Sequence, residues 1–133
     1  MALSLHYQLI LADHVSFDET THSQTIENIR NSVQVNVYPT VVHLTAWIKI
    51  WMQNVADDSI FLSVSDTKKN VLWSQELEGI VNRRPEGLPK GIDSAMQIKF
   101  VVNRTGVYTV KLLDRENNVL TYFPLFVSIR STA

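Results

Sequence analysis

The chain has 133 residues, 45% of them apolar, enough for one domain with a sizeable core and against wholesale disorder. Twelve Lys and Arg against 13 Asp and Glu leave a net charge of −1, which argues against a strongly basic nucleic-acid binder and an acidic tail, though not against a local patch. With no Cys there is no disulfide framework, thiolate metal site, redox pair or cysteine nucleophile.

The balance of 16 Val, 10 Ile and 10 Thr against 6 Ala leans towards strands, because β-branched side chains suit a pleated surface and lose rotamer freedom in helices. Met1 to Asp13 contains no Lys or Arg, and its apolar residues are broken by His6, Tyr7 and Gln8, so it does not read as a secretory signal. No window approaches the roughly 18 apolar residues of a membrane span. The expectation is a cytoplasmic chain with neither a membrane nor a nucleic acid as partner. Asn103-Arg104-Thr105 fits a glycosylation acceptor, a triplet that means little without secretion.

Period-2 alternation runs almost from end to end. Leu5, Tyr7, Leu9 and Leu11 alternate with His6, Gln8, Ile10 and Ala12, predicting a first strand that ends at Asp13. Residues 14 to 24 are polar and turn-like, and a weaker strand follows around Thr25 to Ile29. Val33, Val35 and Val37 continue the pattern until Pro39, which has no N–H to give a ladder. From Val41 to Met52 the even positions (Val42, Leu44, Ala46, Ile48, Ile50, Met52) form an apolar face, opposite Val41, His43, Thr45, Trp47, Lys49 and Trp51. Ile60 to Val64 and Val71 to Leu77 flank the turn Asp66–Asn70 as a hairpin. Leu77 to Gly91 is the longest irregular stretch, holding Pro85 and Pro89. Three strands close the chain: Ala95 to Val102, Val107 to Leu113 and Val119 to Ile129. About eight strands separated by short polar turns predict a single all-β domain spanning residues 1–133, an antiparallel two-sheet β-sandwich. There is no internal repeat, linker or low-complexity segment.

Thr105-Gly106-Val107-Tyr108-Thr109-Val110, followed by a hairpin and a strand ending Pro124-Leu125-Phe126-Val127, looks like many immunoglobulin-like and C2-like sandwiches. Leu9-Ile10-Leu11-Ala12-Asp13-His14-Val15 before a polar turn, with Tyr38-Pro39 opening a long strand, is similar to a family of uncharacterised bacterial β-sandwich proteins. The resemblance covers most of the chain and implies a fold but no activity. Unlike the usual family pattern, residues 14 to 38 here contain no Gly. The residues that carry it have structural roles to fill. Gly106 supplies a turn angle forbidden to a side chain, Tyr108 is a core aromatic whose hydroxyl seeks a backbone carbonyl, and Pro39 and Pro124 mark strand entry or an edge.

No catalytic constellation emerges from His6, His14, His22 and His43, and the common hydrolase, zinc-protease and phosphate-loop motifs are missing. Adjacent Asp13 and His14 would point to opposite faces of a strand. No cofactor is implied. Asp13, His14, Asp18, Glu19 and His22 share one polar segment, with Asp57, Asp58 and Asp66 in other loops; these are weak candidates for a cation, since turns favour Asp for backbone reasons. Lys68, Lys69, Arg83, Arg84 and Lys90 cluster in number but are diluted by Asp66, Glu76, Glu78 and Glu86, which suits a solvated surface. The stronger lead is Trp47 and Trp51, which share the odd face of the central strand, with His43 on that face, Trp73 on another strand, and Arg83 and Arg84 in the long loop. Either the domain's own chain covers this face, or it is a surface for a protein partner or a homo-oligomer. The expectation is a non-catalytic module that binds protein or self-assembles. The alternative is a small-ligand module, for carbohydrate or Ca²⁺, using the loops at one end.

Overall fold

The computed structural model describes residues 6–51, 58–80, 84 and 86–130. Among these are nine strands and no helix, hence no helix long and apolar enough to cross a membrane. The strands are β1 (His6–Asp18), β2 (Ser23–Ile29), β3 (Ser32–Val35), β4 (Thr40–Trp51), β5 (Asp58–Ser65), β6 (Val71–Ile80), β7 (Gly91–Val102), β8 (Gly106–Leu113) and β9 (Val119–Ile129). One sheet has the order β2-β1-β4-β7 and the other β3-β9-β8-β5-β6. All pairs are antiparallel except β3 with β9.

The sheets pack face to face because every strand except β2 turns apolar side chains inward. Leu9 and Leu11 of β1, Leu44, Ile48 and Ile50 of β4, and Ile98 and Phe100 of β7 come from the four-stranded sheet. Ile60, Leu62 and Val64 of β5, Tyr108, Val110 and Leu112 of β8, and Leu125 and Val127 of β9 meet them from the other. Met52, the last of the even apolar series, lies outside the described residues.

Four boundaries differ from the sequence expectation. The first strand does not stop at Asp13 but runs to Asp18, so of residues 14 to 24 only 19–22 form the turn. Polar side chains sit on this part of the hairpin because it is largely exposed, and exposure removes the alternation that marks a half-buried strand. At the other end of the chain's middle, β6 runs on to Ile80 and β7 begins at Gly91, so both strands reach into the stretch expected to be irregular. Val37 falls in a bend after β3 rather than in the strand.

Two hairpins share one turn. Asp66 Oδ1 accepts the N–H of Lys68 and of Asn70, each at 2.8 Å, while Asn70 Nδ2 donates to Oδ2. Asp114 does the same with Glu116, Asn118 and the Asn118 side chain. The residue before each Asn, Lys69 or Asn117, has positive φ, as a three-residue hairpin loop requires. These donors stabilise the ionised form and hold both carboxyls below the usual carboxylate range.

The Gly106–Tyr108 expectation is met in its details. Gly106 has φ +154°, and a Cβ there would overlap Thr67 Cγ2. Tyr108 is fully buried; its hydroxyl donates to Arg104 O at 2.9 Å and lies 3.4 Å from the N–H groups of Asn103 and Arg104. Pro39 immediately precedes β4. Pro124 lies in β9 just short of the residues that β3 pairs, so no ladder bond needs its missing N–H.

Tyr108→Phe removes the hydroxyl that Arg104 O and the 103–104 N–H groups share and should cost about 1 kcal/mol, read from urea unfolding. Replacing both Asp66 and Asp114 by Ala should lower the thermal midpoint at neutral pH. A carboxyl whose pKa is depressed in the folded state stabilises above its unfolded value and loses that effect as pH falls through the folded one. The wild-type advantage should therefore shrink below about pH 4 and vanish in strong acid, as melts across pH will show.

Candidate partner-binding cleft

The first strand changes partner along its length. His6 to Ala12 pair with Trp51 to Thr45 of β4, whereas Ala12 to Asp18 pair with β2. Past Ala12 the β1–β2 hairpin folds back over the outer face of the four-stranded sheet. Its tip, Phe17 to Gln24, lines one cleft with Lys49, Trp51 and Asp93. Ala12, at the parting, is fully buried. Just beyond it Asp13 is held by Arg30, with Nε at 2.9 Å and Nη2 at 2.6 Å, and by Asn28 Nδ2 at 3.2 Å. The guanidinium hydrogen bond is the main reason the Asp13 carboxyl lies below its ordinary range.

This hairpin answers the question posed by the odd face of β4. Trp47 is only 7% exposed, and its indole N–H donates to Gln24 Oε1 of β2. Thr45 is 2% exposed, accepting from Gln97 Nε2 and donating to the Asp13 carbonyl. The domain's own chain covers Trp47, and the part that does so is the hairpin made by the first strand and β2. Trp51, four residues on, is 39% exposed.

Around Trp51 the surface is built from ion pairs and rings. Asp93 Oδ1 lies 3.0 Å from Arg84 Nη2 and 3.8 Å from Lys49 Nζ. Lys49 sits between the two indoles, 5.7 Å from the Trp47 ring centre and 5.5 Å from that of Trp51, and the Arg84 guanidinium lies 5.9 Å from Trp51. His6 meets the same ring edge-on at 6.1 Å. Arg84 Nη1 also donates to the Pro89 carbonyl, fastening the 84–90 segment to the start of β7. Gly91 is required there, because a Cβ would run into the Ile50 carbonyl oxygen. The outcome is a cleft of about 580 Å³ between the hairpin tip and this segment, with Phe17, Trp51 and Leu88 all partly exposed on its walls.

The other expected site residues scatter. Trp73 is half-buried against the core from β6, on the opposite sheet. His43 is exposed on β4, opposite Lys99 and near Asp13 rather than Trp51. Arg83 and Asp57 lie outside the described residues. Asp18 caps its own turn, accepting from the N–H of Thr20 and Thr21, while Glu19 and His22 line the cleft. His14 is exposed on β1, opposite Glu27. Among the described residues no three His, Asp or Glu side chains converge as a metal site would need. Lys68 and Lys69 lie at the opposite end of β6 from Arg84 and Lys90, so they form no common patch. The sequence reading missed Phe17, Gln24, Leu88 and Asp93. An aromatic amid the polar residues 14 to 24 was a signal for Phe17; nothing local marks Gln24.

No family model matches the sequence, and no curated protein matches it. Solved structures similar to this chain include a β-glucosidase from Listeria innocua at 10% identity and TM-score 0.45, covering 94% of this chain and 16% of that one. The same enzyme in complex with glucose gives 11% and 0.44 with the same coverage. A β-glucosidase from Erythrobacter marinus gives 10% and 0.46, covering 94% of this chain and 15% of that one. The chain thus spans about one-sixth of each, and a likeness this distant bears on no activity.

Trp47→Ala should cost about 3–5 kcal/mol by opening a cavity under the hairpin, whereas Trp51→Ala should cost less than half of that. Urea unfolding of the two variants measures both. The emission of Trp51 should be quenched by iodide and that of Trp47 shielded, resolved by leaving one tryptophan at a time.

Proposed function

We propose that this chain is a non-catalytic, immunoglobulin-like binding module that engages a protein partner, or a second copy of itself, through the cleft around Trp51. The immunoglobulin-like reading draws on the strand plan. An early strand pairs antiparallel in one sheet (β1 with β4), while β3 pairs parallel with the last strand of the other, and Tyr108 near the start of β8 bonds back upstream as a tyrosine corner does.

One observation carries the functional reading. Phe17, Trp51 and Leu88 are large apolar side chains from three separate segments, each at least 39% exposed, and they ring a single cleft beside a fixed Arg84. Tryptophan and arginine surrounded by apolar side chains form the composition of an interface hot spot. Ion pairing holds Arg84 and Lys49 in place beforehand, so a partner need not order them on binding. The small-ligand alternative has less support. The Trp51 ring already has two cations near it, which compete with a sugar for its face, and Asp18 is engaged by its own turn.

The test replaces Leu88 by a photo-crosslinking amino acid in the cell of origin. A single defined adduct, either one partner or the dimer of this chain, is expected. Adding Trp51→Ala should reduce it about tenfold, the effect of losing roughly 1.4 kcal/mol of binding, without lowering the thermal midpoint by more than a few degrees. An adduct pattern unchanged by Trp51→Ala overturns the proposal. Trp51 fluorescence quenched by oligosaccharides, with no adduct, would favour the small-ligand reading instead.

A further inference from the structure

A second feature, on the opposite side of the hairpin's bend, concerns backbone rather than side chains. β7 pairs with β4 along its whole length, from Thr40 to Trp51, but β1 pairs only with Thr45 to Trp51. The other edge of β4 from Thr40 to Leu44 is therefore open. Which groups it presents follows from alternation. Arg30 N–H donates to the Leu11 carbonyl, so Leu11 faces β2, and Ala12 faces β4. Its partner Thr45 faces β1 in return, and so, two and four residues back, His43 and Val41 point their N–H and C=O groups away from β7. Among the described residues nothing bonds to them, and both residues are exposed.

The wall opposite is a second free edge. The carbonyls of Asn31 and Val35 accept the N–H groups of Phe126 and Arg130, so the odd residues of β3 face β9, and Ser32 and Gln34 turn outward. Between the two edges lies a cleft of about 730 Å³, mostly polar in its lining, to which Val33, Val35, Val42 and Leu44 contribute from the core. At its rim are two guanidiniums and one carboxylate, and the carboxylate, Asp13, is taken by Arg30. Arg130 makes no ion pair among the described residues.

We propose that this cleft takes an extended segment of a partner chain as an added strand, antiparallel or parallel to β4. Its backbone meets Val41 and His43, its alternate apolar residues face those four core side chains, and an acidic side chain meets Arg130. Strand addition is the chemistry that satisfies two donors and two acceptors spaced along an edge, with pockets for every second side chain supplying selectivity. A second copy fits less well, since pairing β4 with β4 would bring two more guanidiniums to the rim and no free carboxylate. This site is separate from the Trp51 cleft and does not depend on it.

The probe is an acetylated, amidated peptide of sequence Thr-Val-Glu-Val-Thr-Val, titrated into the isotope-labelled chain and followed by amide NMR. Saturable shifts and slowed hydrogen exchange at Val41 and His43 are expected. N-methylation of the peptide's alternate amides, in either of the two registers, should abolish them in one register only. Arg130→Gln should weaken binding about fivefold, and only for the Glu peptide, not for its Gln analogue. His43→Pro, which removes an N–H unused within the fold, should abolish binding while the remaining amide spectrum stays folded. No shift at Val41 and His43 at millimolar peptide overturns the proposal. So does binding indifferent to N-methylation, or protection of these amides that grows with the concentration of the chain alone, which marks a second copy.

Discussion

The parting of β1 from β4 at Ala12 is the constraint on which the rest of the molecule hangs. Up to that residue the strand extends a sheet; beyond it the same strand becomes half of a hairpin folded over that sheet's outer face. A methyl group fits at the bend, and Asp13 is caught immediately afterwards by Arg30 and Asn28 from the returning strand. The hairpin then delivers the chain to β3, which joins the opposite sheet beside the last strand. Covering Trp47, walling the Trp51 cleft and uncovering the Thr40–Leu44 edge are three results of one change of partner.

The cluster beneath the hairpin tip shows how a charged group can sit on a partly covered sheet face without a large penalty. Asp93 meets two cations, and each of those cations also lies over an indole ring. The rings take the place of part of the water that Lys49 and Arg84 lose, while the carboxylate balances their charge. Its residues come from β4, the 84–90 segment and β7, so the cluster ties a loop to a strand pair. That fixes the cleft wall in a way the loop's own sequence could not.

Where one face of a strand is buried and the other wet, the alternation of residue types reports the fold directly, and the even positions of β4 are the clearest case. Gly106 and Tyr108 were legible for a different reason: each answers a local backbone requirement that few residues can meet. The outer half of the β1–β2 hairpin was not legible, because it is a third layer with little burial of its own and so carries polar residues that read as a turn. The candidate cleft was half legible. Trp51 and Arg84 stand out by type, but what brings Phe17, Asp93 and Leu88 to them is the fold-back at Ala12, and no local pattern encodes a contact between segments so far apart. The same bend decided that Trp47, indistinguishable from Trp51 by spacing, belongs to the interior.

The twin turns at Asp66–Asn70 and Asp114–Asn118 close every one of their hydrogen bonds within five residues. The alignment of β5 with β6, and of β8 with β9, is thereby specified by contacts of very short range, before either hairpin meets its neighbour. Four of the five strands in the larger sheet are thus organised as two ready-made halves, with a single long-range junction between β5 and β8 left to find. Distant pairings remain in both sheets: β3 must reach β9 across 94 residues in the larger one, and in the smaller one β4 must gather β1 from one side and β7 from the other. In terms of assembly, the register of the two hairpins is set locally, whereas the cleft between β4 and β3 exists only once strands of both sheets have come together.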